Sequence, residues 1–144
     1  SILDPRLREL AIIQASYVTA CGYEFSHHVH YAATVGVTHE DVLAIIAETN
    51  GEHSGLHPLE RTVIKAARDL TVNLQIDDAT SSYLEDHLGR VCFIELVLVT
   101  SYYNHIIRLV TALQIGVEGG DPGEAALVSY LKNYDPPPQI GRWR

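Results

Sequence analysis

The stretch from Cys92 to Gln114 restricts the possible folds more than any other part of the sequence. Its apolar residues recur over more than twenty positions without a glycine or a proline. The β-branched residues within Val97–Thr100 are compatible with a strand, but a strand would be expected to end at a turn after about 5–6 residues. The unbroken pattern therefore predicts one long helix.

Residues typical of helix ends divide the rest of the chain into further helices. Asp4-Pro5 starts a helix that runs toward Cys21 and is apolar on nearly all sides, which predicts deep burial. The other predicted helices are Gly22–Val35 before Gly36, His39–Glu48 capped by Thr38, one that starts at Pro58 after a loop at Asn50–Leu56, and Ala79–Leu88 between a cap at Asp77 or Asp78 and Gly89.

A break at 119–123, rich in glycine, separates the last part of the chain from these helices. Glu124–Asn133 has the composition of one more helix, and Asp135–Pro138 is expected to be extended because three consecutive prolines lack amide donors. The prediction is an all-α domain of six or seven helices over residues 1–118. Residues 119–144 are predicted to be an extension that packs on a neighbouring subunit.

Composition excludes several classes of partner. The chain has 144 residues, with 10 Lys and Arg against 18 Asp and Glu, a formal net charge of −8. Nucleic acid and anionic membranes are therefore unsuitable partners, and no apolar run reaches the ~20 residues of a membrane span. Cys21 and Cys92 lie far apart without a disulfide framework, which favours a reducing, cytoplasmic location.

The sequence Cys21-Gly22-Tyr23-Glu24-Phe25-Ser26-His27-His28 contains the candidate site. If this stretch is the start of a helix, Cys21, Glu24 and His28 lie within an arc of roughly 60°. A thiol, a carboxylate and an imidazole on one face can hold or move a proton near neutral pH. Gly22 allows a sharp entry into this helix. Glu9 can join the site only if the chain turns near Thr19–Gly22.

These residues resemble the carboxymuconolactone decarboxylase family, which includes the alkyl hydroperoxidase D-like proteins. The likeness runs from about Leu3 to Val117. It is carried by Leu7-Arg8-Glu9-Leu10-Ala11, by Cys21–Val29, by Gly36-Val37-Thr38, by Leu59-Glu60-Arg61, by Ala67-Arg68-Asp69-Leu70, and by Tyr102-Tyr103-Asn104 with Arg108 and Ala112-Leu113. The resemblance implies a compact all-α fold that assembles as a homo-oligomer, a trimer or a hexamer, with active sites near the subunit contacts.

The redox branch of that family implies a Glu, a Cys-x-x-Cys motif and a His. Glu9 and His28 match the positions of the Glu and the His, but Glu24 replaces the second cysteine, so Cys21 has no nearby thiol with which to form a disulfide. Cys92 would help only if the fold placed it beside Cys21. A thiol-dependent peroxidase or disulfide reductase that uses Cys21 is therefore the alternative hypothesis.

The non-redox branch implies a cofactor-independent lyase. Its chemistry is proton transfer coupled to loss of carbon dioxide from a small unsaturated or lactone carboxylic acid, and such a reaction needs a positioned acid. His28 is the first candidate for that acid, with Glu24, Glu9 and Cys21 as the other candidate catalytic residues. Dehydration, isomerisation and retro-aldol cleavage would use the same groups.

Candidates for substrate contact lie on both sides of this group. They are Tyr23 and His27, beside the proposed face, and Tyr103 and Arg108, in the long helix, where a phenol or a guanidinium suits an anionic substrate. A metal site is not predicted, because Glu24-x-x-His27 has no second Glu-x-x-His and the rings of His28 and His30 would lie roughly 200° apart on a helix. A third hypothesis is a non-catalytic assembly protein.

Overall fold

A computed structural model describes residues 1–115, and all the regular structure in this range is helical. The helices are α1 (Pro5–Val18), α2 (Gly22–Ala32), α3 (His39–Thr49), α4 (Pro58–Asn73), α5 (Asp78–Leu88) and α6 (Arg90–Ala112), with a 3₁₀ turn at Ala33–Val35 after α2. The prediction of an all-α fold is confirmed. The possible helix at Glu124–Asn133 and the extension at residues 119–144 lie outside the described residues.

Helix α1 forms the centre of the fold. It packs against α2, α3, α4 and α6, and 11 of its 14 residues are buried. A helix that is apolar on all sides has to be enclosed in this way, since any exposed side would leave apolar surface in water. The expected deep burial of the first helix is therefore confirmed.

The polar residues of α1 have partners inside the fold. The Gln14 side chain exchanges hydrogen bonds with the Thr49 hydroxyl and accepts one from Arg68. Ser16 donates its hydroxyl proton to the carbonyl of Ile12. Burying such groups unpaired would cost roughly 1–3 kcal/mol each, so these bonds allow polar residues to lie at the centre of the core.

The predicted helix ends agree closely with the structure. Asp4 and Asp77 accept hydrogen bonds from amides of the first turns of α1 and α5, and Thr38 forms a capping box with Asp41 at the start of α3. Gly36 is left-handed, as a terminating glycine should be. The long helix begins at Arg90, directly after Gly89, two residues earlier than predicted.

The connection between α1 and α2 is a tight left-handed turn at Ala20. The amide of Ala20 donates to the carbonyl of Tyr17 and the amide of Cys21 donates to that of Ser16, which is the Schellman arrangement at a helix end. Ala20 has φ of 54°, whereas Gly22 is already the first residue of α2. The predicted turn near Thr19–Gly22 is confirmed, but the attribution of that turn to Gly22 was wrong.

No helix within residues 1–115 is long and apolar enough to cross a membrane.

Candidate active site

The α1–α2 turn brings Glu9 and His28 into direct contact. The Nδ1 atom of His28 lies 2.7 Å from Oε2 of Glu9. Because an ionised carboxylate only accepts hydrogen bonds, this contact fixes the proton of the ring on Nδ1 and leaves Nε2 on the other side of the imidazole. The two residues are nineteen positions apart in the chain, and the antiparallel return of α2 along α1 joins them.

Glu24 lies on the other side of the same imidazole. Its Oε2 atom is 3.4 Å from Nε2 of His28, one helical turn away on α2. This separation is longer than that of a good hydrogen bond, so the contact is electrostatic and Nε2 is free to exchange a proton with a third molecule. The predicted shared face of Glu24 and His28 is present in the structure.

Burial separates the members of this cluster. Glu9 and Glu24 are buried, whereas His28 retains 13% of its side-chain exposure. A buried carboxylate needs a cationic or hydrogen-bonding partner, since its desolvation costs several kcal/mol. Glu9 has two such partners, because Nε of Arg8 lies 3.2 Å from the Oε1 atom that His28 does not use.

Tyr103 of α6 closes one side of the cluster. Its ring meets that of His28 edge-on, with the ring centroids 4.6 Å apart. Burial raises the pKa of the Tyr103 phenol, and the negative charges of Glu9 and Glu24 raise it further. The phenol therefore stays protonated at neutral pH and remains able to donate a hydrogen bond.

Cys21 lies in a small apolar group between α1, α2 and α6. It is the N-cap residue of α2, with extended backbone, and its place on the face of Glu24 and His28 stays a prediction. Its thiol packs with Ala15, Ile107 and Val110, and the Thr111 hydroxyl lies 4.0 Å from the sulfur. Burial raises the pKa of the Cys21 thiol, although the Glu24 amide and the Thr111 hydroxyl favour the thiolate.

The fold keeps the two cysteines apart. Cys21 is beside Thr111 near the end of α6, whereas Cys92 is near its start, with its sulfur 3.9 Å from the carbonyl oxygen of Ile2. Nineteen residues of helix between positions 92 and 111 span about 28 Å, and a disulfide requires Cα atoms within about 7 Å. Cys92 of the same chain therefore cannot resolve an oxidised Cys21 in this fold.

The other residues predicted to contact substrate, Tyr23, His27 and Arg108, form hydrogen bonds or ring contacts within their own helices. Tyr23 and His27 pair with each other on the surface of α2, with Nδ1 of His27 2.8 Å from the Tyr23 carbonyl oxygen. Arg108 donates from Nη1 to the backbone and side-chain oxygens of Asn104, one turn earlier on α6. A role for these three residues in substrate contact stays a prediction.

Arg8 is the residue of this site that was assigned no role from the sequence. It was noted only as part of the run Leu7–Ala11, next to Glu9. Neighbours in a helix point about 100° apart, so adjacency alone gives no reason for contact. The charge of Glu9 could have indicated this contact. A carboxylate buried in an apolar helix needs a cationic partner, and Arg8 is the nearest cationic residue in the sequence.

Two surface depressions lie away from this cluster. One of about 550 Å³ lies between the end of α2 and the start of α3, and one of about 470 Å³ lies beside Arg6 and His57. Neither is lined by Glu9, Glu24 or His28. Within residues 1–115, no group of three or more His, Cys, Asp and Glu side chains has a geometry suited to holding a metal ion.

Comparison with known proteins gives one match. The model of the carboxymuconolactone decarboxylase family matches residues 1–68, a shorter range than the likeness noted in the sequence. No curated protein and no solved structure matches the chain. The matched range includes Glu9, Glu24 and His28, while Tyr103 lies beyond it. Residues 1–68, just under half of the 144-residue chain, are therefore similar to the carboxymuconolactone decarboxylase family.

Proposed function

We propose that this protein is a cofactor-independent lyase that decarboxylates a small unsaturated or lactone carboxylic acid by acid–base catalysis. The observation that carries the proposal is the 2.7 Å contact between Nδ1 of His28 and Glu9, which fixes the ring so that Nε2, once protonated, is a positioned proton donor. The match of residues 1–68 to the family model supports a decarboxylase-like activity, and the substitution of Glu24 for a second cysteine favours the non-redox branch.

The proposed reaction has two steps. The bond between the carboxylate carbon and the substrate skeleton breaks, carbon dioxide leaves, and the electron pair passes into the unsaturated system. The Nε2–H group of His28 then transfers its proton to the carbanionic carbon. Solvent returns a proton to Nε2, so atoms and charge balance over one turnover.

The carboxylates have different roles in this scheme. Glu9 accepts a hydrogen bond from the ring and so fixes its orientation, as the buried carboxylate does in other carboxylate–imidazole pairs. Glu24 lies 3.4 Å from Nε2, close enough to interact with a proton that this nitrogen carries during the reaction. The neutral phenol of Tyr103 supplies a hydrogen bond to the negative charge that develops after carbon dioxide leaves.

The proposal also includes self-association, as the family resemblance implies. Apolar side chains along one side of α6 support it, because they are exposed at intervals of three, four or seven residues. The residues are Val91, Ile94, Leu98, Tyr102, Leu109 and Leu113, and they are called here the α6 stripe. A trimer or hexamer of this chain would cover such a surface.

The test measures carbon dioxide release from a panel of unsaturated lactone acids and β-keto acids. His28→Ala and His28→Gln should lower the rate by about 10²–10⁴-fold, the usual contribution of a general acid. The glutamine side chain in His28→Gln can still donate a hydrogen bond to Glu9, so this variant is expected to fold even if His28→Ala does not. His30→Ala, an exposed histidine on the same helix, is the matched control and should retain the native rate.

The same panel separates the alternatives. Cys21→Ser should retain carbon dioxide release, because the thiol faces an apolar group. Peroxide consumption that depends on Cys21, without release from any acid, would replace the proposal with a thiol-dependent peroxidase. Native folding and oligomerisation with neither activity would favour an assembly protein.

A further inference from the structure

Arg8 holds Glu9 in a way that leaves most of its hydrogen-bonding capacity unused. Its Nε atom lies 3.2 Å from Oε1 of Glu9. Among residues 1–115, neither Nη1 nor Nη2 of Arg8 has a hydrogen-bond partner, whereas every other arginine in this range uses at least one terminal nitrogen. Those arginines are Arg6, Arg61, Arg68, Arg90 and Arg108.

Arg8 also lies toward the outside of the cluster. Its side chain is 23% exposed, compared with 13% for His28 and 2% for Glu9. The positive charge of Arg8 also acts on the Tyr103 phenol, whose ring meets His28 edge-on, so Arg8 and Tyr103 lie near the same imidazole. The Arg8 side chain is therefore partly accessible from solvent next to the pair that Glu9 forms with His28.

The charge of the site makes a cation necessary for an acidic substrate. Glu9 and Glu24 place two buried carboxylates around His28, and these would repel an approaching anion. A guanidinium can bind a carboxylate with two parallel hydrogen bonds from its terminal nitrogens while Nε stays on Glu9. Arg108, the cation predicted for this task, already donates Nη1 to Asn104.

We propose that Arg8 binds a carboxylate of the substrate through Nη1 and Nη2 and so anchors the substrate beside Nε2 of His28. This inference rests on the proposed function. An ion pair stabilises a carboxylate in its charged form, so it opposes conversion of that same group into neutral carbon dioxide. The carboxylate on Arg8 is therefore one that the substrate keeps throughout the reaction.

The test is a binding measurement that does not depend on turnover. The probes are a butenolide acetic acid, an unsaturated lactone with one carboxylate, and its methyl ester. Arg8→Gln should weaken binding of the acid by about tenfold or more, the usual effect of removing a charge-assisted bidentate contact, and change binding of the ester by less than about threefold. Arg8→Lys should restore part of the affinity for the acid.

The acid–ester comparison separates anchoring from a structural role. If Arg8 only holds Glu9 in place, Arg8→Gln will weaken the binding of the acid and of the ester equally. That result would overturn the proposal. It is also overturned if Arg108→Gln, rather than Arg8→Gln, causes selective loss of the acid. Arg90→Gln, at an exposed arginine of α6 paired only with Glu85 among residues 1–115, is the control for loss of one positive charge.

The outcomes for Arg8 and for the proposed function are distinguishable. Binding is measured on His28→Ala as well as on the native chain. If binding of the acid needs Arg8 but no acid releases carbon dioxide, the role of Arg8 in binding stands and the proposed lyase activity is overturned. If carbon dioxide release needs His28 but Arg8→Gln weakens binding of the acid and the ester equally, the lyase activity stands and the role of Arg8 in binding is overturned.

Discussion

At the scale of single residues, burial decides which groups of this site are reactive. The Cys21 thiol and the Glu9 carboxylate are both buried, but within residues 1–115 only the carboxylate contacts an arginine and a histidine. The thiol sits among apolar side chains, and burial raises its pKa more than the Glu24 amide and the Thr111 hydroxyl lower it. A helix N-terminus alone therefore does not make this cysteine a nucleophile.

This difference predicts slow alkylation of Cys21. Because its pKa is raised, the fraction of thiolate is lower at every pH below that pKa, and the reaction with iodoacetamide should accelerate only in alkaline solution. In a Cys92→Ser background, the rate at neutral pH should be at least about tenfold below that of Cys92 in a Cys21→Ser background. Mass spectrometry of the labelled chains measures both rates. Faster labelling of Cys21 would contradict this account.

At the scale of elements, the turn between α1 and α2 creates the site. It reverses the chain within three residues, so that α2 returns along α1 and His28 reaches Glu9. Ala20 adopts a left-handed backbone there, although its Cβ makes that conformation costly by roughly 1–2 kcal/mol. The two Schellman hydrogen bonds and the packing of both helices hold it in place.

Ala20→Gly is expected to stabilise the protein. Glycine adopts a positive φ without strain, and the relief outweighs its greater freedom in the unfolded chain, so the free energy of unfolding should rise by about 0.5–1 kcal/mol. Urea denaturation measures the change. Ala44→Gly, within α3, is the matched control and should lower the free energy of unfolding by about 1 kcal/mol. A loss of stability in Ala20→Gly would show that the turn is not strained.

At the scale of the whole molecule, the two sides of α6 differ in exposure. One side packs on α1, α4 and α5, with Leu96, Thr100 and Ile107 buried, while the α6 stripe is exposed. Exposed apolar side chains that share one side of a helix are typical of an interface. Self-association through the α6 stripe follows from the proposed function as a prediction.

Leu98→Glu should disrupt the assembly. A carboxylate in the middle of the α6 stripe would be buried without a partner in an oligomer, whereas in a monomer it would remain in water. Light scattering should give a smaller mass for this variant than for the native chain. Leu43→Glu, at an exposed leucine of α3 outside the stripe, is the control and should leave the mass unchanged. An unchanged mass for Leu98→Glu would rule out the stripe as the interface.

The sequence by itself determined the class of fold, most helix ends and the spacing of Glu24 and His28 within one helix. Asp4, Thr38 and Asp77 start helices because their side chains accept from free amides of the first turn, and Gly36 is left-handed because it has no Cβ. Such interactions span only a few residues, so they can be read directly from the chain. The helical spacing of Glu24 and His28 was predictable for the same reason.

Only the tertiary structure decided which groups meet. Helical spacing could not show that the Cys21 thiol packs against Ile107 and Val110 of α6. The adjacent residues Arg8 and Glu9, together with His28 and Tyr103, come from three separate places in the sequence and meet in one cluster. Contacts between distant residues depend on the direction in which one helix leaves another, and here a left-handed alanine sets that direction, in a conformation that alanine rarely adopts and that the sequence does not signal.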